Sequence, residues 1–386
     1  MGFHFYDENM VEMDAPEWIE IDWNRKFYEP GTWMLYTEQG KLDPNIRFIK
    51  QDGRPEIAVV GKWSKQKKTE GDMITTSGFF FEKFLDSAIH LSPEYTTSET
   101  TISDISNFLN REGMNPFYKL KAPFGIVFED ARFDKAKTFG PMAYELGAPA
   151  GTFLYSLLKT RSCSFMLTPE IHDGVYSTFK LIDDKSLVNP AREIWFRQNL
   201  GSVSGVDFAI DQTAEYDNYF VTQEVPEGFG SDPFVVGRFQ QADGTVKYYI
   251  FENYVGSKSM FGIKPIKWID ANISGIEITA ANEAKIRAAM QQAALLDMLN
   301  QREVQTIDAS VIQNEYIYLK DYDIGNFIHI ADDYSRDDER WNDFLKEHLG
   351  SELKSQIVEI SEVHKNNTMD VTVTLGDTKR ASGNII

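Results

Sequence analysis

The sequence predicts a β-rich α+β protein divided into four parts. Three observations carry this. Short alternating runs bounded by Gly, Pro, Asn or Asp dominate both ends of the chain and return in its middle. Helical spacing is confined to a few stretches, only one of them long. A chain of 386 residues, 42% hydrophobic and 13% aromatic, can fill the cores of two to four domains.

The first part, residues 1–98, is mostly strand. "FHFYDENM" carries a turn at Asp7–Asn9, and "EWIEIDWNRKFYEPGTWMLYT" alternates on either side of a Pro30–Gly31 turn. "EIAVVGKW" and "MITTSGFFF" pair across a solvated loop holding the basic cluster "KWSKQKK" at 62–68. "FFFEKFLDSAIHL" then changes to helical spacing, with Phe81, Phe84, Leu85 and Ile89 on one face. A helix this short beside a sheet suggests a small barrel with a helical plug.

The second part, 99–190, reads as α+β. "TISDISNFLNREG" sets Ile102, Ile105, Phe108 and Leu109 at helical spacing with Gly113 as its stop, and "PAGTFLYSLLKTR" does the same with Phe153, Leu154, Leu157 and Leu158. Two strands, "SCSFMLTPEI" and "YSTFKLIDD", are joined by His172–Asp173–Gly174, which is ordinary hairpin chemistry. No serine elbow or second placed His gives His172 a catalytic partner. Strands resume over 191–260, where "GSVSG" at 201–205 is too short for a dinucleotide fingerprint and opens no helix. The region 261–303 is helical. Thr279 can cap "TAANEAKIRAAMQQAALLDMLNQRE", whose Ile286, Ala289, Met290, Ala293 and Leu296 form a smooth stripe suited to close packing.

The last part, 304–386, holds the densest cluster of candidate ligands. "YLKDYDIGNFIHIADDY" gathers Asp321, Asp323, His329, Asp332 and Asp333. Asp residues at a turn hydrogen-bond their own backbone two residues on, so a turn between the strand-like runs "SVIQNEYIYLK" and "IGNFIHIAD" accounts for Asp321, Asp323 and Gly325. A metal would need a third ligand, and His329 lies a full strand away. "DDYSRDDE" also lacks the central Gly of a calcium loop. "DDERWNDFLKEHLG" reads as a short amphipathic helix stopped by Gly350. "QIVEISEVHKNNTMDVTVTLGD" reads as a hairpin, with Met369, Val371, Val373 and Leu375 in one phase across an Asn366–Asn367 turn.

Composition excludes whole classes of function. A net charge of −20 disfavours holding nucleic acid by its phosphates. No run of about 18 apolar residues offers a membrane span, the N-terminus lacks a secretory pattern, and Tyr6 stands where a myristoylation signal needs Ser or Thr, so no lipid anchor is expected. The expectation is a soluble chain made in a cytoplasm. Cys163 is the only cysteine, which removes disulfides and thiolate clusters and leaves a buried inert thiol. Six histidines form no HExxH or comparable pair, so no catalytic residue and no cofactor site is assigned. The aromatic side chains are expected in strand cores before they are expected as sugar platforms.

With "RKFYEPGTWML", "YLKDYDIGNFIHI" and the closing "QIVEISEVHKNNTMDVTVTLG" together, the chain resembles the tail-tip hub proteins of long-tailed phages of Gram-positive bacteria, the family that includes the N-terminal part of tail-associated lysins. Tyr318, Asp321, Tyr322, Asp323, Ile324 and Gly325 match the family's aromatic and Asp-Tyr-Asp-Leu-Gly pattern, whereas Asn326 replaces its last acid and about 332–354 is an insertion. The resemblance implies a fold like contractile-phage baseplate hubs. Two β-barrel hub domains, 1–98 and 191–260 with 304–386, would carry an α+β insertion at 99–190 and the helical region 261–303. It implies a non-enzymatic virion protein at the siphophage tail tip, assembled in the host cytoplasm as a homotrimer. Three chains of two barrels each would present six similar units to a sixfold tube. Implied partners are the distal tail protein ring, the tape measure protein and receptor-binding or tail fibre proteins, with DNA passing unbound. The alternative is a tail-tip protein that binds or degrades cell-wall glycan, although the chain ends right after the closing hairpin with no room for a lysin domain.

Overall fold

The structure is a computed structural model. It describes residues 2–38, 41–67, 72–87, 93–110, 126–128, 133, 136–145, 147–171, 175–183, 193–197, 203–211, 218–225, 235–241, 244–249, 266–301, 304–311, 316–331, 353–365 and 368–376.

Seven strands open the chain: β1 (Phe3–Tyr6), β2 (Glu12–Met13), β3 (Trp18–Lys26), β4 (Thr32–Glu38), β5 (Phe48–Gln51), β6 (Ile57–Gln66) and β7 (Met73–Phe80). Asp7 accepts from the backbone N–H of Asn9 and Val11, each at 2.8 Å, which closes the first turn. Alternation decides which residues face inward: Ile21, Trp23 and Arg25 from β3, and Trp33, Leu35 and Thr37 from β4. Gly78 is dictated by contact, because a Cβ there would lie 1.8 Å from the Val59 carbonyl oxygen. The basic cluster departs from the expected loop. Lys62 and Lys65 belong to β6, opposite Ser77 and Ile74, and Lys65 pairs with Asp72 at 2.6 Å. This end of the ribbon is exposed or half-exposed throughout, so it lacks the apolar phase that marks a strand. Lys68 lies outside the described residues.

The middle of the chain packs helices on short strands. A 3-10 helix at Phe81–Ser87 occupies the predicted helical turn, with Ile89 outside the described residues. After β8 (Glu94–Tyr95), helix α1 (Ile102–Asn110) starts at a reciprocal cap: Asp104 accepts from the Thr101 N–H at 2.8 Å, and Thr101 Oγ1 accepts from the Asp104 N–H at 3.2 Å. Next come β9 (Ile126–Phe128), β10 (Ala143–Tyr144), α2 (Ala150–Lys159), β11 (Ser164–Ile171) and β12 (Val175–Ile182). Strands β11 and β12 pair antiparallel, while β9, which periodicity did not announce, runs parallel to β12. Phe81, Leu85, Ile105, Phe108, Leu154, Leu158 and Phe165 share one core. His172, Gly113 and the 172–174 turn lie outside the described residues.

The remaining strands are β13 (Trp195–Arg197), β14 (Val203–Asp211), β15 (Asn218–Thr222), β16 (Val235–Gln241), β17 (Gly244–Tyr249), β18 (Ile266–Asp270), β19 (Val304–Val311), β20 (Phe327–Ala331), β21 (Leu353–Lys365) and β22 (Thr368–Gly376). The expected helical region therefore begins with a strand, β18, paired parallel to β15, and becomes helical only at Ala280–Asn282 and α3 (Glu283–Gln301). Thr279 stands at the start, but its hydroxyl accepts from the Asn282 side chain at 3.3 Å and from no backbone N–H. Ile286, Ala289, Met290 and Ala294 are buried, whereas Ala293 and Leu296 are half-buried. The strand expected at 310–320 sits earlier, as β19, and Tyr316–Lys320 bends and turns instead. The helix expected at 337–350 lies outside the described residues, as does Asn366–Asn367.

One 13-stranded sheet joins the two ends of the chain, in the order β14-β19-β22-β21-β3-β4-β7-β6-β5-β1-β2, with β20 on β21 and β13 on β20. Among the described residues its path stays open. Among the described pairs of this sheet only β13–β20 is parallel. The junction is β21 against β3, in register from Glu359 opposite Lys26 to Lys365 opposite Glu20.

Candidate functional site

The junction between β3 and β21 encloses a buried network of charged side chains, and the "DYDIG" turn closes over it. Arg25 follows Ile21 and Trp23 in the inward phase of β3, and Glu362 and His364 follow Ile360 in the inward phase of β21. The sheet therefore delivers charge where apolar residues would be expected. Loop 52–56 adds Arg54 and Glu56, and the turn adds Tyr318 and Asp323.

Arg25 is almost wholly buried. Its Nε donates to Glu56 Oε1 at 2.7 Å, and its Nη1 donates to the Tyr318 hydroxyl at 2.7 Å and to Asp323 Oδ1. The Tyr318 hydroxyl in turn donates to Glu362 Oε1 at 2.7 Å. Arg54 donates to the same oxygen from Nε at 3.2 Å and Nη2 at 3.0 Å, and stacks over the Tyr318 ring at 4.9 Å. Gln51 Nε2 donates to Glu362 Oε2 at 3.1 Å, and His364 Nε2 lies 3.0 Å from that oxygen. Two guanidiniums thus face three carboxylates. Burial by itself would raise the Glu362 carboxyl, but the bond with His364 and the charges of Arg54 and Arg25 bring it down to about 2. Burial raises Glu56 despite the opposing charge of Arg25.

The turn is built from its own polar side chains. Asp321 Oδ2 accepts from the Ile317 N–H at 2.8 Å. Asp323 Oδ1 accepts from the Ile324 N–H at 2.7 Å, and Asn326 Oδ1 accepts from the Asp323 N–H at 2.7 Å. Gly325 has φ +87°, and a Cβ there would lie 2.3 Å from the Phe27 ring. Its N–H donates to the Ile357 carbonyl at 2.8 Å, which fastens the turn to β21. Asp323 therefore belongs both to the turn and to the Arg25 pair. His329 lies apart, stacked on Trp195 at 4.3 Å. Asp332 and Asp333 lie outside the described residues. Cys163 is fully buried, with its thiol 3.3 Å from the Arg161 carbonyl. Among the described residues, no group of three or more His, Cys, Asp or Glu is arranged to hold a metal ion.

A small pocket borders the network. Arg25, Glu56, Glu82, Tyr155 and Ser164 are among its lining residues, and its volume is about 20 Å³. Glu82 Oε1 accepts from the Leu167 N–H at 3.3 Å, while its Oε2 and Glu56 Oε2 have no hydrogen-bond partner. Burial, reinforced by the charge of Glu56, pushes Glu82 up to about 8, so it is mostly protonated at neutral pH.

Sequence reasoning proposed a turn at Asp321, Asp323 and Gly325 and named none of the buried partners of Asp323. The signal was a charged residue in an apolar phase: Arg25 after Ile21 and Trp23, and Glu362 after Ile360. Nothing local links Arg54 or Glu56 to them.

The fold that holds this network is similar to those of solved phage tail proteins. A prophage tail protein gp18 from Listeria monocytogenes EGD-e has the same fold at 14% identity, with a TM-score of 0.54 over 99% of this chain and 96% of that one. A tail protein from Neisseria meningitidis MC58 matches at 13% identity and TM-score 0.53 over 98% and 97% of the two chains. The 43 kDa tail protein of prophage MuSo2 from Shewanella oneidensis matches at 12% identity and TM-score 0.52 over 97% of each chain. No family model matches the sequence, and no curated protein does.

Proposed function

We propose that this chain is a structural, non-enzymatic protein of a phage tail and forms the homotrimeric hub at its distal end. In this reading 1–98 is one barrel-like hub unit, 191–260 with 304–386 is the second, 99–190 is the insertion and 261–303 is the helical region. Three copies then meet a sixfold tube with six similar units. The hub joins the distal tail protein ring and the tape measure protein to receptor-binding or tail fibre proteins, and lines or closes the DNA exit channel of a siphophage virion. The turn of Asp321, Asp323 and Gly325 locks the two units together and binds no metal.

The observation that carries this reading is the fold likeness to a prophage tail protein over nearly the full length of both chains. The sheet that joins the two ends supports it, since a rigid connection between units suits a part that transmits force. The net charge of −20 suits a channel wall that DNA must leave. The test is negative-stain imaging of the purified protein, with mass measurement in solution and in assembled tails. A threefold ring with a central hole is expected; monomers in assembled tails would sink the proposal.

A further inference from the structure

The far end of β6 runs on past its neighbour. Strand β5 covers only Ile57–Val59 of its outer edge, and from Gly61 to Gln66 no described strand pairs with that edge. Successive residues Gly61, Lys62 and Trp63 are exposed, so both faces are wet there. Trp63 keeps 44% of its surface in water, with the Arg47 guanidinium 5.4 Å from its ring centroid. Lys65 is paired with Asp72, whereas Lys62 and the neighbouring exposed Lys67 have no ion-pair partner among the described residues. Lysines alone on an edge strand are the ordinary guard against sheet-to-sheet pairing. An exposed tryptophan and an arginine beside them are of the types that concentrate at protein interfaces.

The same sheet carries the opposite charge. Lys62 stands opposite Ser77, Ser77 opposite Met34, Met34 opposite Asp22, Asp22 opposite Val363 and Val363 opposite Asp370. These residues therefore share one row on the sheet's outer face, and none of them is buried. Glu20, on the same face of β3, is paired with Lys365 at 3.0 Å. Asp22 has no such cation: burial, and then the charge of Glu20, hold its carboxyl above the ordinary value. Asp370 is exposed and has no ion-pair partner among the described residues. At about 4.8 Å per strand, Lys62 lies about 14 Å from Asp22 and about 24 Å from Asp370 along the sheet, beyond a Debye length of about 8 Å. One chain cannot neutralise its own two patches.

We propose that the projecting end of β6, with Lys62, Trp63 and Lys67, docks on the acidic outer face around Asp22 and Asp370 of a second copy of this chain. The charges select that occupant, because the basic patch and the acidic patch on one surface are complementary to each other. The contact is heterologous, one patch meeting a different one, and such contacts make a ring where the rotation closes. A twofold contact would set lysine against lysine and aspartate against aspartate. The docking rests on the hub reading, which calls for a ring and leaves its contact surface unnamed.

Sedimentation velocity of the full chain at low and high salt, with charge reversals on each side, tests this. The unaltered protein is expected to associate at low salt and to dissociate as salt rises. Lys62→Glu with Lys67→Glu, and separately Asp22→Lys with Asp370→Lys, should each weaken association at least about tenfold, since attraction becomes like-charge repulsion. All four changes in one chain restore opposite signs across the contact and should bring association back. If the variant carrying Asp22→Lys fails to fold, the exposed Asp370→Lys takes its place with the same expected direction. Unchanged association in a folded reversal variant, or a loss that the combined variant does not recover, would overturn the contact and leave the hub reading standing. An unaltered chain that stays monomeric at every salt concentration would also overturn it, and the mass of the protein in assembled tails then decides the hub reading separately. Salt-sensitive DNA binding that Lys62→Glu with Lys67→Glu removes would overturn the second copy as occupant and reassign the basic end to nucleic acid.

Discussion

Glu82 supplies a test of the buried interior whose sign is opposite to that of most carboxylates. The perturbation is Glu82→Gln, which has the shape of the neutral acid and cannot ionise. In the folded chain burial holds the Glu82 proton up to about pH 8, against an ordinary value of 4.5. Because the folded pKa is raised, the stabilising contribution is fully present below pH 4.5 and is lost as pH rises through about 8. At 1.36 kcal/mol per unit, the span from 4.5 to about 8 corresponds to roughly 5 kcal/mol at most. Urea unfolding followed by tryptophan fluorescence at pH 5, 7 and 9, at fixed ionic strength, reads the difference between the two proteins. Near pH 5 they should be close in stability. By pH 9 the Gln variant should be the more stable by several kcal/mol. A difference that does not change with pH, or that grows in favour of Glu82, would refute the reasoning that this carboxyl is desolvated beside Glu56.

Further outcomes follow from the buried network, its turn and the net charge. Arg25→Met strands Glu56 and Asp323 and should cost about 3–5 kcal/mol in chemical unfolding, whereas Asp321→Asn, which keeps an acceptor for the Ile317 N–H, should cost under about 1 kcal/mol; Asp323→Asn should fall between them. Gly325→Ala should lower stability by about 3 kcal/mol or more, because it meets both a positive φ and the Phe27 ring. Glu362→Gln should remove an acid transition: with its pKa lowered to about 2, Glu362 stabilises above pH 4.5 and loses that contribution as pH falls towards 2, roughly 3 kcal/mol over the range. The purified protein should show no tight, salt-sensitive binding to DNA in a filter or anisotropy assay, since a chain of net charge −20 repels phosphates.

Legibility followed the physics of each signal. Strands β1, β3 and β4 and the hairpin β21–β22 were readable because one face is buried and the other wetter, so alternation survives in sequence, whereas β2 and β5 were not announced. The far end of β6 was not, because Lys62, Trp63 and Lys65 are all substantially exposed. Strand β18 was hidden inside a region dominated by the helical signal of α3, and β9 is only three residues long. Asp chemistry suggested the "DYDIG" turn through bonds two residues on, but Asp321 accepts from Ile317, four residues back, and Asp323 from Ile324, one residue on. The union of Asp323 with Arg25 was not legible, since 298 residues separate them and no local rule spans that distance.

That separation also explains why charge is buried here. The two ends of the chain meet through one strand pair, β3 against β21, and an alternating apolar face by itself does not exclude a slip of two residues. A one-residue slip would turn every side chain of the slipped strand to the opposite face. Arg25 would leave Glu56 and Asp323, or Glu362 would leave Arg54 and Gln51, each stranding buried charge. A two-residue slip keeps the face but breaks the Tyr318 hydroxyl's link between Arg25 and Glu362, and separates Asn24 from Glu359, which pair at 2.7 Å. Apolar side chains in those positions would still face inward in registers two residues apart. The ion network admits one, and so sets how the first half of the sheet is placed on the second.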